Sequence, residues 1–343
     1  MRNKIIAILV AISMLSFAGL VLAGDVPQVT DESSTLSVEC RNIAPVINVI
    51  DLRTVADASK LNAKIDVLTE YYFFVNITDA NSWVDIEYVN ITAWYDNGTD
   101  PAAPYNSQYN TTWAGAANDN FFLQYKNTTG TASWSVQWPA TEVTIGTCTD
   151  TILNTTCHEL KFYFTLKEQI RHTAPADFGV TEGLYYNNYN NTFSWNFNVS
   201  AGDTAGDRAF GVDEFGVYMY TAISSVGSPS MSGYPGDSVS AGAIDIVTKS
   251  NGNFSLSVAT IGELVSGANT LDNATCSVAG GDIAATALDP WPVYIYGSST
   301  TYKRHSLSGT SLTTALTYSC NIPLAQPAGT YTATLRYILT TEQ

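Results

Sequence analysis

The residues of this chain that could do chemistry are ten Asn-x-Ser/Thr triplets, two acidic loops, three histidines and five cysteines. The triplets start at Asn76, Asn90, Asn97, Asn110, Asn127, Asn154, Asn190, Asn198, Asn253 and Asn273. Each can accept an N-linked glycan if the chain is exported and the side chain faces solvent. Their number exceeds chance only modestly, so position has to decide. Asn76, Asn90, Asn198 and Asn253 are out of phase with the apolar residues beside them, which predicts outward side chains on strands. Asn97 begins an Asn-Gly hairpin dipeptide. Asn110, Asn127, Asn154 and Asn190 lie in loop-like stretches. None of the ten is forced into a core by its neighbours.

The acidic loops are TDANSWVD, with Asp79, Asn81 and Asp85, and AGDTAGDRAFGVDE, with Asp203, Asp207, Asp213 and Glu214. Calcium is the metal such oxygen-rich loops could hold. The competing account, which we favour, is turn chemistry, in which Asp and Asn bond their own backbone. His158, His172 and His305 are scattered and have no zinc spacing. TTCH at 155–158 lacks the first cysteine of a haem site. No Gly-x-Ser-x-Gly elbow, phosphate loop or dinucleotide fingerprint occurs. GDSV at 236–239 resembles one lipase nucleophile block but lacks its later Asp-x-x-His. We therefore expect no catalytic residue, no enzyme activity and no cofactor beyond glycans and calcium. Trp83, Trp94, Trp113 and Trp138 could stack on sugars, although core packing accounts for them more simply.

The compartment is set by the opening MRNKIIAILVAISMLSFAGLVLAGDVPQ. Arg2 and Lys4 precede an apolar run, and Val21-Leu22-Ala23 fits a cleavage site, so residues 1–23 read as a secretory signal peptide. An uncleaved anchor or a pilin-type signal is the minority alternative. No second apolar run is long enough to span a membrane, so the mature chain is expected to be secreted, at the cell surface or beyond it. In that compartment disulfides are the default. Cys148 and Cys157 bracket a ten-residue stretch and could staple a hairpin, while Cys276 and Cys320 could join two strands. Cys40 is then free or bridges to another chain.

These groups must be positioned by strands. Period-two alternation recurs in YYFFVNIT, YVNITAWY, ELKFYFTL, FSWNFNVS, NFSLSV and the closing TYTATLRYIL. VADASKLNAKIDVL, at 55–68, is the one stretch ambiguous between helix and strand. Short strands with Gly, Asn, Asp and Pro turns predict an all-β chain of two Ig-like β-sandwich domains. They are expected at 24–223 and 238–343, joined by a Ser/Gly/Pro-rich linker at 224–237. Acidic residues number 31 against 15 basic, and the signal takes two of the basic ones. Such a surface repels nucleic acid and anionic lipid.

VNITDANSWVDIEYVNITAWYDNGTD, FGVDEFGVYMYTAI and PAGTYTATLRYIL resemble strands of the Ig-like modules of archaeal cell-surface proteins. That resemblance implies a glycosylated outer-surface or filament-forming protein and carries no catalytic residue. The expected function is a structural subunit of a surface layer or extracellular filament. Its partners would be copies of itself or other surface proteins, joined at sheet edges or by strand exchange. TLSVE (35–39) and PVINVI (45–50) could serve as a donor strand locked by Cys40, or as an ordinary first strand. The alternative is an adhesin that binds carbohydrate or protein.

Overall fold

The computed structural model describes residues 33–61, 63–95, 120–128, 130–138, 142–173, 195–304 and 311–341. Among them there is no α-helix, only strands, turns and two single 3-10 turns, Trp83–Asp85 and Asn273–Thr275. No described helix is long and apolar enough to cross a membrane. The all-β expectation holds. The ambiguous stretch at 55–68 becomes turns and a two-residue strand, so its spaced apolar residues do not mark a helix. The signal at 1–23 lies outside the described residues, as do Asn97, Asn110, Asn190, Trp113 and His305.

Among the described residues, eleven strands build the N-terminal half: β1 Val46–Thr54, β2 Lys64–Ile65, β3 Glu70–Thr78, β4 Ile86–Tyr95, β5 Asn120–Thr128, β6 Thr131–Trp138, β7 Val143–Ile145, β8 Thr149–Ile152, β9 Cys157–Leu166, β10 Trp195–Asp203 and β11 Arg208–Val217. One sheet runs β1-β3-β9-β7, with β8 also on β9, and the other runs β2-β11-β10-β4-β5-β6. The two sheets enclose one apolar core. Phe73 of β3 stacks on Phe164 of β9 and meets Phe197 of β10, both at 4.8 Å between ring centroids. This is the interdigitation expected of sheets packed face to face.

The C-terminal half contains β12 Thr221–Val226, β13 Ser238–Ser240, β14 Ile244–Ser250, β15 Asn253–Ser266, β16 Asn269–Leu271, β17 Cys276–Gly280, β18 Ile283–Ala287, β19 Val293–Tyr296, β20 Lys303–Arg304, β21 Leu312–Asn321 and β22 Thr332–Thr341. Its sheets are β12-β14-β21-β17-β18, with β13 on β21, and a second built on β15 with β16, β19, β20 and β22. They enclose a second, separate core. β12 begins at Thr221 and pairs with β14. The second sandwich therefore starts ahead of the expected 223/224 boundary, and the segment at 224–237 is linker only after Val226. Ser and Gly enrichment does not distinguish a linker from an exposed edge strand.

Asn251, in the turn between β14 and β15, joins the halves. Its Oδ1 accepts from Tyr220 N (2.7 Å), its Nδ2 donates to the Tyr218 carbonyl (3.0 Å), and its own carbonyl accepts from His172 N (3.2 Å). Lys249 Nζ pairs with Glu168 Oε1 at 2.9 Å beside it. Residues up to Asn42 fall outside the compact unit that begins at Ile43.

Candidate functional site

The end of the N-terminal sandwich remote from Asn251 gathers several of the side chains singled out above. Antiparallel register puts Thr78 beside Cys157 and Ile86 beside Asp203. The loop at 79–85, the β8–β9 turn and the β10–β11 turn therefore share one tip. Asp79 N donates to the Thr156 carbonyl (2.8 Å), Trp83 N to the Thr155 carbonyl (3.1 Å), and Thr204 N to the Asp85 carbonyl (2.8 Å). These bonds lace the three turns together.

Turn chemistry accounts for part of both acidic loops. Asp79 Oδ1 accepts from Asn81 N (2.8 Å) and Ser82 N (3.4 Å). Asp203 Oδ1 accepts from Ala205 N and Asp207 N, both at 2.9 Å. Asn81 Oδ1 accepts from Ile43 N at 2.8 Å. The candidate calcium set nevertheless divides. Asp213 sits within β11 opposite Phe197, and burial beside Asp51 pushes its carboxyl up to about 6. It cannot join the tip, because alternation turns it to the same side of its sheet as Phe215. Glu214 is buried next to it in the strand.

Behind the tip lies a polar network that the sequence did not signal. His158 Nδ1 is 2.6 Å from Asp150 Oδ1, and Tyr125 OH donates to Asp150 Oδ2 at 2.9 Å. Trp83 Nε1 donates to Tyr125 OH at 3.3 Å, and the Trp83 ring stacks on His158 at 4.0 Å. Burial beside Asp150 raises the Tyr125 hydroxyl above its ordinary range. Its members come from β5, β8, β9 and the 3-10 turn. His172 lies instead at the junction of the halves. Among the described residues no three His, Cys, Asp or Glu side chains form a ready-made metal site.

The acceptor asparagines do not share one environment. Asn154 is exposed, and both its side-chain bonds, from Thr156 N (2.9 Å) and Thr156 Oγ1 (2.8 Å), use Oδ1, leaving Nδ2 to solvent. Asn76, Asn90 and Asn253 are half-buried. Asn127, Asn198 and Asn273 are buried, and of these Asn198 is the one whose strand phase predicts an outward side chain. Asn127 Nδ2 donates to the Trp83 carbonyl (3.4 Å) and its Oδ1 caps the β5–β6 turn at Gly130 N (3.0 Å). Asn273 Nδ2 donates to Thr260 Oγ1 at 2.7 Å. Asn198 lies on β10, every residue of which is buried, so a position opposite the core is not a position in water there.

The cysteines also separate. Cys276 and Cys320 are register partners on β17 and β21, with Sγ atoms 2.7 Å apart. Cys148 Sγ lies 3.8 Å from the Tyr163 carbonyl, and burial pushes its thiol up to about 11. Cys157 starts β9, six residues back, roughly 20 Å at ~3.4 Å per residue. That exceeds the reach of a disulfide, so the expected Cys148–Cys157 staple is corrected: the short loop spacing becomes two distant points along one strand. Cys40 is exposed. In the GDSV stretch, Ser238 Oγ donates to Asn321 Oδ1 at 2.7 Å and Asp237 Oδ2 accepts from Tyr234 N at 2.8 Å, so both are turn and strand residues.

Trp83 and Trp94 are buried, which favours the core account. Trp291, between two prolines, is exposed, at 60% accessible. It was not signalled by sequence because no alternating strand surrounds it. It lies between β18, whose Ala287 pairs with Ser277, and β19.

No protein-family profile matches the chain, and no curated protein does. The crystal structure of dimeric latent PorU from Porphyromonas gingivalis is similar at 9% identity and a TM-score of 0.13, over 88% of this chain. The chain spans about a third (34%) of that protein's length. A similarity of this size carries no argument about fold or function.

Proposed function

We propose that this protein is a secreted, glycosylated structural subunit of a cell-surface layer or extracellular filament, built of two Ig-like sandwiches and joined to its neighbours by strand exchange. The observation that carries the reading is the segment before β1. Residues 33–45 belong to no strand, and Leu36 and Val38, alternating in TLSVE, are each 70% exposed. Such a stretch is matched to an open sheet edge. PVINVI, in contrast, lies largely in β1 and pairs with β3 in its own sheet, so the donor is TLSVE alone. An edge suited to it is β22, which pairs with β15 on one side and carries half-buried Leu335, Tyr337 and Leu339 against the second core. Glycans at the solvent-reaching acceptors, Asn154 first, and a Cys276–Cys320 disulfide suit an exported subunit.

Negative-stain microscopy of the mature chain tests this. Ordered fibres or sheets that vanish in Leu36→Asp/Val38→Asp support it, and uniform single particles at high concentration overturn it. The exposed Trp291 and Tyr234 favour the second reading, a sugar- or protein-binding surface module. If single particles are seen, glycan-array binding that is lost in Trp291→Ala would establish that reading instead.

A further inference from the structure

The acidic loop at 79–85 holds a carboxylate oxygen that turn chemistry leaves unexplained. Asp79 is 0% exposed, and both backbone donors it receives go to Oδ1. Its Oδ2 is buried and accepts no hydrogen bond. Asp203 is 2% exposed, and its Oδ1 accepts from two backbone N–H groups. The Thr204–Asp85 bond holds the two loops together. Among the described residues no lysine or arginine pairs with Asp79 or Asp85. Burial holds the Asp79 carboxyl above the usual range, and the charges of Asp85 and Asp203 push it the same way. A carboxylate in that position takes either a proton or a cation, because an uncompensated buried charge is strongly unfavourable.

We propose that the loops at 79–85 and 203–207 bind a hard divalent cation of the calcium class, with Asp79 Oδ2 and the carboxylates of Asp85 and Asp203 as its anionic ligands. These groups do not already converge in ligand geometry. Binding therefore draws the half-buried Asp85 inward and completes the shell with loop carbonyls and water, which calcium accepts and a rigid zinc site does not. Asp207 bonds Asp203 Oδ1 through its backbone and closes the second loop around the ion. The site neutralises a tip that also exposes Val84, Ile152 and Leu153.

The test is thermal unfolding of the full mature chain at pH 7 with calcium chloride, with magnesium chloride as the comparison, followed by terbium luminescence excited through tryptophan. Trp83, within the loop, is the natural sensitiser. Calcium at about ten times its dissociation constant should raise Tm by about 2 °C in a chain of this size. Bound terbium should emit and be displaced by calcium. Asp79→Asn and, should that variant fold poorly, the rim variant Asp85→Asn should lose both responses. The proposal is overturned if the wild-type chain shows no calcium-dependent shift and no terbium emission. It is overturned equally if both responses persist undiminished in Asp79→Asn and Asp85→Asn.

Discussion

Replacing Asp213 with asparagine should stabilise this protein at neutral pH and do almost nothing in acid. Asp213 is 5% exposed on β11, its Oδ1 accepts from Glu214 N at 2.8 Å, and Asp51 is the neighbouring charge that disfavours its ionised form. Burial is the larger cause, and together they lift the carboxyl from 3.8 to about 6. The folded state therefore holds a proton that the unfolded state releases between these two values. With the native pKa raised, stability from this group is complete below 3.8 and is lost as pH rises through about 6. At about 1.4 kcal/mol per pH unit, ionised Asp213 costs about 3 kcal/mol at pH 7. Asparagine keeps the Oδ1 acceptor and removes the charge. Urea unfolding of both chains from pH 3.5 to pH 8 should give curves that coincide near pH 3.5 and separate by about 2–3 kcal/mol above pH 6.5. A variant destabilised equally at every pH would refute the reasoning. So would a wild-type chain whose stability does not fall between pH 4 and pH 6.5.

A disulfide between the register partners Cys276 and Cys320 would close a 44-residue separation; in the oxidised chain, Cys276→Ala/Cys320→Ala should lower stability by about 4 kcal/mol, and peptide mapping without reductant should find this pair linked and Cys148 free of Cys157. Asn251→Ala strips partners from Tyr220 N–H and the Tyr218 carbonyl at the junction; it should cost about 2 kcal/mol and split a single unfolding transition into two, one for each core. Glycopeptide mapping of native material should find Asn154 occupied and Asn127, Asn198 and Asn273 bare; a glycan on Asn273 would require breaking its bond to Thr260 and would contradict the buried assignment. Phe73→Ala should cost about 3–5 kcal/mol, measured by denaturant titration, because Phe73 bridges both sheets.

By itself the sequence determined what is local. Alternation in YYFFVNIT and ELKFYFTL put Phe73, Val75, Phe162 and Phe164 on inward faces, and all four are in the core. Helical periodicity is nearly absent outside 55–68, and Asp79 and Asp203 were legible as turn residues because an Asp bonding the backbone two residues on is a short-range event. What required tertiary structure was everything that depends on which strands become neighbours. Alternation distinguishes the two faces of a strand but not whether the second face meets water, so Asn198 read as outward and is buried on a central strand. Cysteine spacing along the chain is not distance in space: Cys148 and Cys157, nine apart in sequence, are held at separate points along β9, whereas Cys276 and Cys320 meet because β17 and β21 pair in that register. The two acidic loops lie more than a hundred residues apart, and only the antiparallel pairing of β4 with β10 brings them to one tip. That pairing also leaves Asp213, from the second acidic stretch, inside the sandwich, where burial rather than a ligand sets its chemistry.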